Sequence, residues 1–199
     1  AKPVRYGLVA TIVLGVLALP VLGMRLGFAD AGNDAPDTTT RQAYDLMADA
    51  YGDGTNGPLS VVLEGDGDTN VSPAIPGVTR ALENTSGVAS VGEATLNDAK
   101  DLAIIEVVPT TAPQDAKTSE LLSTIREDTL PGALDSADVT ASVTGQTALT
   151  DDVSSRLQAR MPWFLGAVIG LSFVILTIVF RSVLVPLKAA ALNVLGVGA

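Results

Sequence analysis

Acidic side chains are the most abundant chemically active groups in this chain, and their spacing argues against most of the chemistry they could do. The 199 residues include 22 Asp and Glu, 12 Lys and Arg, and no His or Cys. Without Cys and His there are no disulfides, thiolate or imidazole metal sites, Cys–His or Ser–His nucleophile pairs, or the usual general base near pH 7. Asp66-Gly67-Asp68-Thr69-Asn70 matches the first ligand positions of a calcium loop. The sixth position is Val71 where Gly is required and the twelfth is Gly77 in place of a carboxylate, so the stretch reads as a solvated turn. Asp151 and Asp152 read as helix-start charges favoured by the helix dipole. Asn70-Val71-Ser72 and Asn84-Thr85-Ser86 fit a glycosylation sequon, a short pattern that is frequent by chance. No carboxylates pair at a diagnostic spacing. The expectation is a non-enzyme with no cofactor and no metal.

The charge is segregated along the chain. The net charge is −10, yet the mean hydropathy is +0.38. Every acid lies between Asp30 and Asp152, and residues 25–160 hold all 22 acids against 8 bases. Lys2, Arg5, Arg181 and Lys188 lie outside that segment with no acid among them. A strongly acidic domain with scattered bases argues against nucleic acid as a partner.

Two apolar runs account for the hydropathy. Residues 161–180, MPWFLGAVIGLSFVILTIVF, hold no charge and are bracketed by Arg160 and Arg181. As a helix they would extend about 30 Å, enough to cross a hydrocarbon core. Trp163 fits the interfacial aromatic belt, and Arg156 with Arg160 mark the outer headgroup level. Gly166 and Gly170 form a GxxxG pattern suited to helix packing. Residues 6–24 form a second span candidate, with Pro20 near its outer end. A cleaved signal peptide with Ala29-Asp30-Ala31 as its site is the rival, although its apolar run is long for one. The four flanking bases place both span ends on the cytoplasmic face and residues 25–160 outside the cytoplasm. Residues 181–188 then form a short cytoplasmic turn, and 189–199 read as the opening of a third span that the natural protein should continue.

Between the spans the pattern is mixed α+β. A turn-rich loop over 28–40 leads to a helix near Thr40, capped by Asp37 or a Thr, with Ala43, Leu46, Met47 and Ala50 on one apolar face. Strands are expected at 59–64, 88–94, 101–108 and 138–144, and helices at 73–85 and 115–129. The inward residues are Val78, Ala81 and Leu82 on the first helix and Leu121, Leu122 and Ile125 on the second. The order β-α-β-β-α-β is that of a ferredoxin-like unit.

Three stretches carry a family resemblance: RLGFADAGNDAPDTTTRQAYDLM (25–47), GQTALTDDVSSRL (145–157) and FRSVLVPLKAAALNVL (180–195). With the span–porter–span layout they resemble the MMPL (mycobacterial-membrane-protein-large) family of resistance–nodulation–division transporters, over nearly the whole chain. The VPLK form at 185–188 resembles the second repeat half. The resemblance implies a proton-driven exporter of lipids or other hydrophobic compounds, multi-pass in the cytoplasmic membrane. Residues 25–160 would be an extracytoplasmic porter subdomain. Its implied partners are the lipid bilayer, a hydrophobic substrate and the other repeat half, and a homo-oligomer is compatible with it. The family's Asp–Tyr proton relay lies in the fourth span of each half, so no residue here inherits it. Asp30, Asp34, Thr39, Arg41 and Tyr44 are the porter positions singled out as structural or pathway residues. A membrane-anchored sensor or binding module without transport activity is the alternative.

Overall fold

A computed structural model of the chain describes residues 9, 12, 13, 16, 17, 19, 29–67, 69–134, 138–181, 183, 187 and 188. The chain divides into two compact units, residues 27–154 and residues 1–26 with 155–199.

The first unit is built on an antiparallel sheet. Its strands are β1 (Leu59–Gly65), β2 (Val88–Val91), β3 (Thr95–Leu96), β4 (Leu102–Pro109) and β5 (Val139–Thr144). The order is β2-β4-β1-β5, with β3 also paired to β4. That is the strand order of a split βαβ unit, as the element sequence implies. Alternation sets the faces. Leu59, Val61 and Leu63 of β1 pair with Val107, Ile105 and Ala103 of β4, and all six are fully buried. Ile104 and Glu106, one residue out of phase, face outward.

Helices α1 (Thr39–Tyr51), α2 (Ile75–Glu83) and α3 (Ala116–Thr124) belong to the same unit. Val78 and Leu82 of α2 and Leu121 and Leu122 of α3 complete the core against the sheet. Asp115 caps α3 by accepting from the Lys117 amide at 2.9 Å. The chain then widens into a π turn, Ile125–Thr129, and closes with α4, Leu130–Ala133. The expected single helix over 115–129 is therefore interrupted. Pro131 sits in the first turn of α4, where its missing amide hydrogen cannot continue an α ladder.

One further expectation changes, and one face is settled. The strand expected over 88–94 ends at Val91, after a register shift between Val88 and Ser90. Two-residue β3 then resumes pairing with β4. The apolar face of α1 is the exposed one: Leu46 is 70% and Met47 42% exposed, and α1 buries no residue. Its sheltered side carries Arg41, Tyr44 and Ala48 instead. The physical reason is polar anchoring, described with the candidate site.

Helix α5 runs from Gln146 to Phe180 with Pro162 inside it. At 1.5 Å per residue its 35 residues extend about 50 Å. Its first turns belong to the globular unit, where Thr147, Ala148 and Ser154 are buried. From Met161 onward it is apolar and open, with Trp163 81% exposed. Among the described residues it is the one helix long and apolar enough to cross a membrane. An added Cβ at Gly166 or Gly170 would meet nothing within 4 Å, so the GxxxG face is open. Of residues 6–24, Val9, Ile12, Val13, Val16 and Leu17 are helical and exposed, and Leu19 is exposed. The rest of that expected span and residues 189–199 lie outside the described residues.

The turn Asp53–Asn56 ties α1 to the sheet, because a side chain at Gly54 would run into the backbone carbonyl of Pro109 at the end of β4. Backbone cannot yield as a flexible side chain can. Gly54→Ala should therefore cost about 1–3 kcal/mol. Chemical denaturation of the purified chain in detergent checks this, with Gly132→Ala as a comparison at an exposed position where an added Cβ meets nothing within 4 Å.

Candidate functional site

The porter residues singled out in the sequence fall largely into one polar cluster around the start of α1. A 3₁₀ turn, Ala31–Asn33, opens it. Asp30 caps this turn in a reciprocal box: its Oδ1 accepts from the Gly32 amide at 2.9 Å, and its own amide donates to Asn33 Oδ1 at 3.2 Å. Thr38 caps α1 by accepting from the Arg41 amide at 3.3 Å, and its own hydroxyl donates to the Ala35 carbonyl. The expected cap, Asp37 or a Thr, is thus Thr38.

Arg41 is the centre of the cluster. Its Nη1 donates to the Gly32 carbonyl at 2.7 Å and its Nε to Asp45 Oδ1 at 2.8 Å. Tyr44 lies against the same turn, since a Cβ on Gly32 would come within 2.9 Å of the Tyr44 ring. Asn56, past the end of α1, donates from Nδ2 to the Tyr44 carbonyl at 3.1 Å. Asp34 accepts from the Thr40 hydroxyl at 2.5 Å. Four of the five singled-out residues, Asp30, Asp34, Arg41 and Tyr44, therefore serve one purpose. They fix the entry of the chain into α1 and the rotation of that helix. Thr39 is exposed and stands outside this network.

Burial raises the Tyr44 phenol above its ordinary value near 10, and the carboxylates of Asp30 and Asp53 add to the rise while Arg41 opposes it. The second carboxylate oxygen of Asp30 is buried with no hydrogen-bond partner among the described residues. Asp30 also lines a small cavity of about 100 Å³ with Asn56, Pro113, Gln114, Gln146 and Thr147 among others. No group of three metal-ligating side chains occurs among the described residues. Asp66 and Asn70 flank Asp68, which lies outside them.

A second polar cluster went unread in the sequence. Arg126, in the π turn, reaches Asp152 of α5 with Nη1 to Oδ1 at 2.6 Å and Nη2 to Oδ2 at 3.0 Å. The same Nη2 also donates to the Val143 carbonyl of β5 at 2.9 Å. The hydrogen bond to Asp152 is the main reason the guanidinium holds its proton more tightly than usual. This corrects the reading of Asp151 and Asp152 as helix-start charges. The first turn of α5 carries no acid, and the dipole's influence fades beyond it. Thr147 makes a further tie, donating from its hydroxyl to the Gly57 carbonyl at 3.0 Å in a buried bond. The partner of Asp152 lies 26 residues away in sequence, so only the folded chain displays the pair.

Both clusters hold elements of the fold together. They give a rigid α1 entry and a helix clamped at its base, with no nucleophile–base pair in either cluster.

Comparison with known proteins gives the family. The family model described as MMPL family matches residues 34–198. A Bacillus subtilis protein named membrane protein YdfJ is 38% identical over 96% of this chain and 26% of its own length. A Mycolicibacterium smegmatis protein named mycolic acid-containing lipids exporter MmpL11 is 31% identical over 100% of this chain and 21% of its own. A Mycobacterium tuberculosis protein named heme uptake protein MmpL11 is 28% identical, again over 100% of this chain and 21% of its own. The chain spans about a quarter of the length of these curated relatives.

Two outcomes are expected of the clusters. Arg126→Ala should lower stability by about 1–2 kcal/mol, a partly exposed ion pair being screened while the bond to the β5 carbonyl is lost as well. Asp152→Asn, which keeps a polar acceptor for Arg126, should cost less; denaturant titration of both variants decides. For Tyr44, a phenol whose folded pKa is raised keeps its full stabilising contribution below the unfolded pKa. That contribution is lost as pH rises from near 10 through the folded value. Tyr44→Phe should remove that alkaline loss, read as a flatter dependence of unfolding free energy on pH in alkaline buffer.

Proposed function

The chain belongs to the MMPL family, and from that premise we propose that it is one porter-and-span segment of a proton-driven exporter of lipids or other hydrophobic compounds. In this reading residues 25–160 stand outside the cytoplasm and 161–180 cross the membrane. Residues 6–24 supply the preceding span, 181–188 a cytoplasmic turn, and 189–199 enter the next span. The other repeat half completes the substrate pathway.

One observation carries the reading: α5 is a single helix whose first turns are built into the porter unit and whose remainder is apolar and open. Arg126–Asp152 and Thr147–Gly57 fasten its base to β5 and to the segment before β1. A helix so fastened would pass displacement in the membrane to the sheet, and the reverse. No ionisable side chain lies between Met161 and Phe180, so this span would transmit coupling and leave the proton's path to other helices. The relatives' names include a lipid exporter and a heme uptake protein, both with hydrophobic cargo, which supports the substrate class more than the direction.

The test uses the full-length protein in proteoliposomes loaded with fluorescent lipid or a hydrophobic dye. Transport should follow an imposed proton gradient and stop on addition of a protonophore. Transport that ignores the gradient would remove the proton coupling. No transport of any hydrophobic probe by a folded, inserted protein would leave the anchored sensor as the better reading.

A further inference from the structure

We propose that the small cavity beside Asp30 binds one alkali-metal cation, held by Asp30 Oδ2 and by neutral oxygens of Asn56, Gln146 and Thr147. All four residues belong to the unit formed by residues 27–154, and the site is independent of the transport reading.

The unpaired group in the cavity wall is a carboxylate oxygen. Oδ1 of Asp30 accepts from the Gly32 amide at 2.9 Å, while Oδ2 is buried with no hydrogen-bond partner among the described residues. A carboxylate oxygen removed from water needs donors or a counter-charge. None of the described residues lining the cavity is Lys or Arg. Arg41, the base of the neighbouring cluster, gives Nη1 to the Gly32 carbonyl and Nε to Asp45.

The neutral side chains around the cavity have turned their donors elsewhere. Asn56 gives Nδ2 to the Tyr44 carbonyl at 3.1 Å, and Gln146 gives Nε2 to the Thr150 hydroxyl at 3.5 Å. Each amide oxygen is then the end left to serve the cavity. Thr147 spends its one hydroxyl hydrogen on the Gly57 carbonyl at 3.0 Å, so its oxygen can only accept. The result is a set of oxygens with no charge to balance Asp30. A water molecule has two hydrogens to give, fewer than the oxygens offered, and it leaves the charge uncompensated. A cation satisfies them all.

Charge and size select the ion. Calcium takes six to eight oxygens and gains its affinity from the number of carboxylates, and here there is one. One carboxylate balances one monovalent charge. The cavity of about 100 Å³ has room for such an ion with about two waters, at roughly 30 Å³ for each water. The oxygens come from three separated segments: the entry to α1, the turn after it and the base of α5. No sequence motif therefore marks the site, and a bound ion would brace those segments together.

The test is hydrogen exchange by mass spectrometry on the full-length protein in detergent. Sodium, potassium or calcium chloride is titrated against N-methylglucamine chloride at constant ionic strength. In peptides covering 29–34, 53–57 and 145–150, sodium or potassium should slow exchange in a saturable way. At ten times the half-saturating concentration the slowing should be about tenfold, since a ligand held only by the closed form scales with one plus its concentration over Kd. Asp30→Asn keeps an oxygen for the Gly32 amide and removes the charge, and should abolish the effect. Gln146→Met, which leaves the Asp30 cap untouched, should raise the half-saturating concentration about fivefold, the ratio for one lost polar contact. Should Asp30→Asn fail to fold, the wild type and Gln146→Met decide. Equal exchange in all salts, slowing by calcium alone, or slowing unchanged in the variants would each overturn the site. No transport is measured, so failure of the transport reading leaves the cation site standing, and the converse holds.

Discussion

One helix has to satisfy two surroundings, and most of the structure follows from that. The first turns of α5 are part of a folded unit, with Thr147, Ala148 and Ser154 buried. Its second half offers no charged side chain, and the hydroxyl of Thr177 is returned to the Phe173 carbonyl within the helix. An isolated helix end would fray, since its first four amides lack intrahelical partners. Here the end is held by a neutral bond, Thr147 to Gly57, and by a charged one, Asp152 to Arg126. Both partners are fixed in turn: Gly57 closes the turn after α1, and Arg126 sits on the π turn above β5. The sheet, the π turn and the entry to β1 thus converge on the base of one helix.

The sheet was largely legible because its information is local and repetitive. Val61 and Leu63, or Ile105 and Val107, announce a face by alternating with polar or outward residues. The helices α2 and α3 show their buried stripes at helical spacing for the same reason. What the sequence hid was the irregular part. The break at Gly92 to Ala94 leaves β3 as a two-residue remnant, and no propensity marks a register shift. The π turn depends on Pro131, which reads from sequence as a helix end and in the fold is carried through by a wider turn.

Helix α1 teaches a different lesson. Periodicity identified its apolar stripe and left its direction open. An amphipathic pattern states that one face differs from the other; it does not state which face the rest of the chain covers. Here the decision fell to Arg41, whose two charge-assisted bonds and whose neighbour Tyr44 secure the polar side against the Ala31–Asn33 turn. Those partners are local in sequence, nine residues back for Gly32 and four on for Asp45, yet pairing of this kind is invisible until the turn geometry is known. The same blindness applies to Arg126 and Asp152, where the separation is longer.

Pro162 stands at the boundary between the two halves of α5. A proline inside a helix removes one amide hydrogen and leaves the carbonyl four residues earlier, that of Gln158, without its usual donor. In hydrocarbon an unsatisfied carbonyl costs several kcal/mol, roughly 2–7 by transfer measurements, while water or a headgroup satisfies it at little cost. Gln158 lies between Arg156 and Arg160, on the polar side of the boundary, and the uncharged run begins at Met161. The unsatisfied group therefore falls where a donor is available, one turn before the bilayer would exclude it. A proline one or two turns further along, near Gly166, would place the same carbonyl inside the apolar run. The proline thus sits where the freed carbonyl precedes the uncharged run and does not fall inside it.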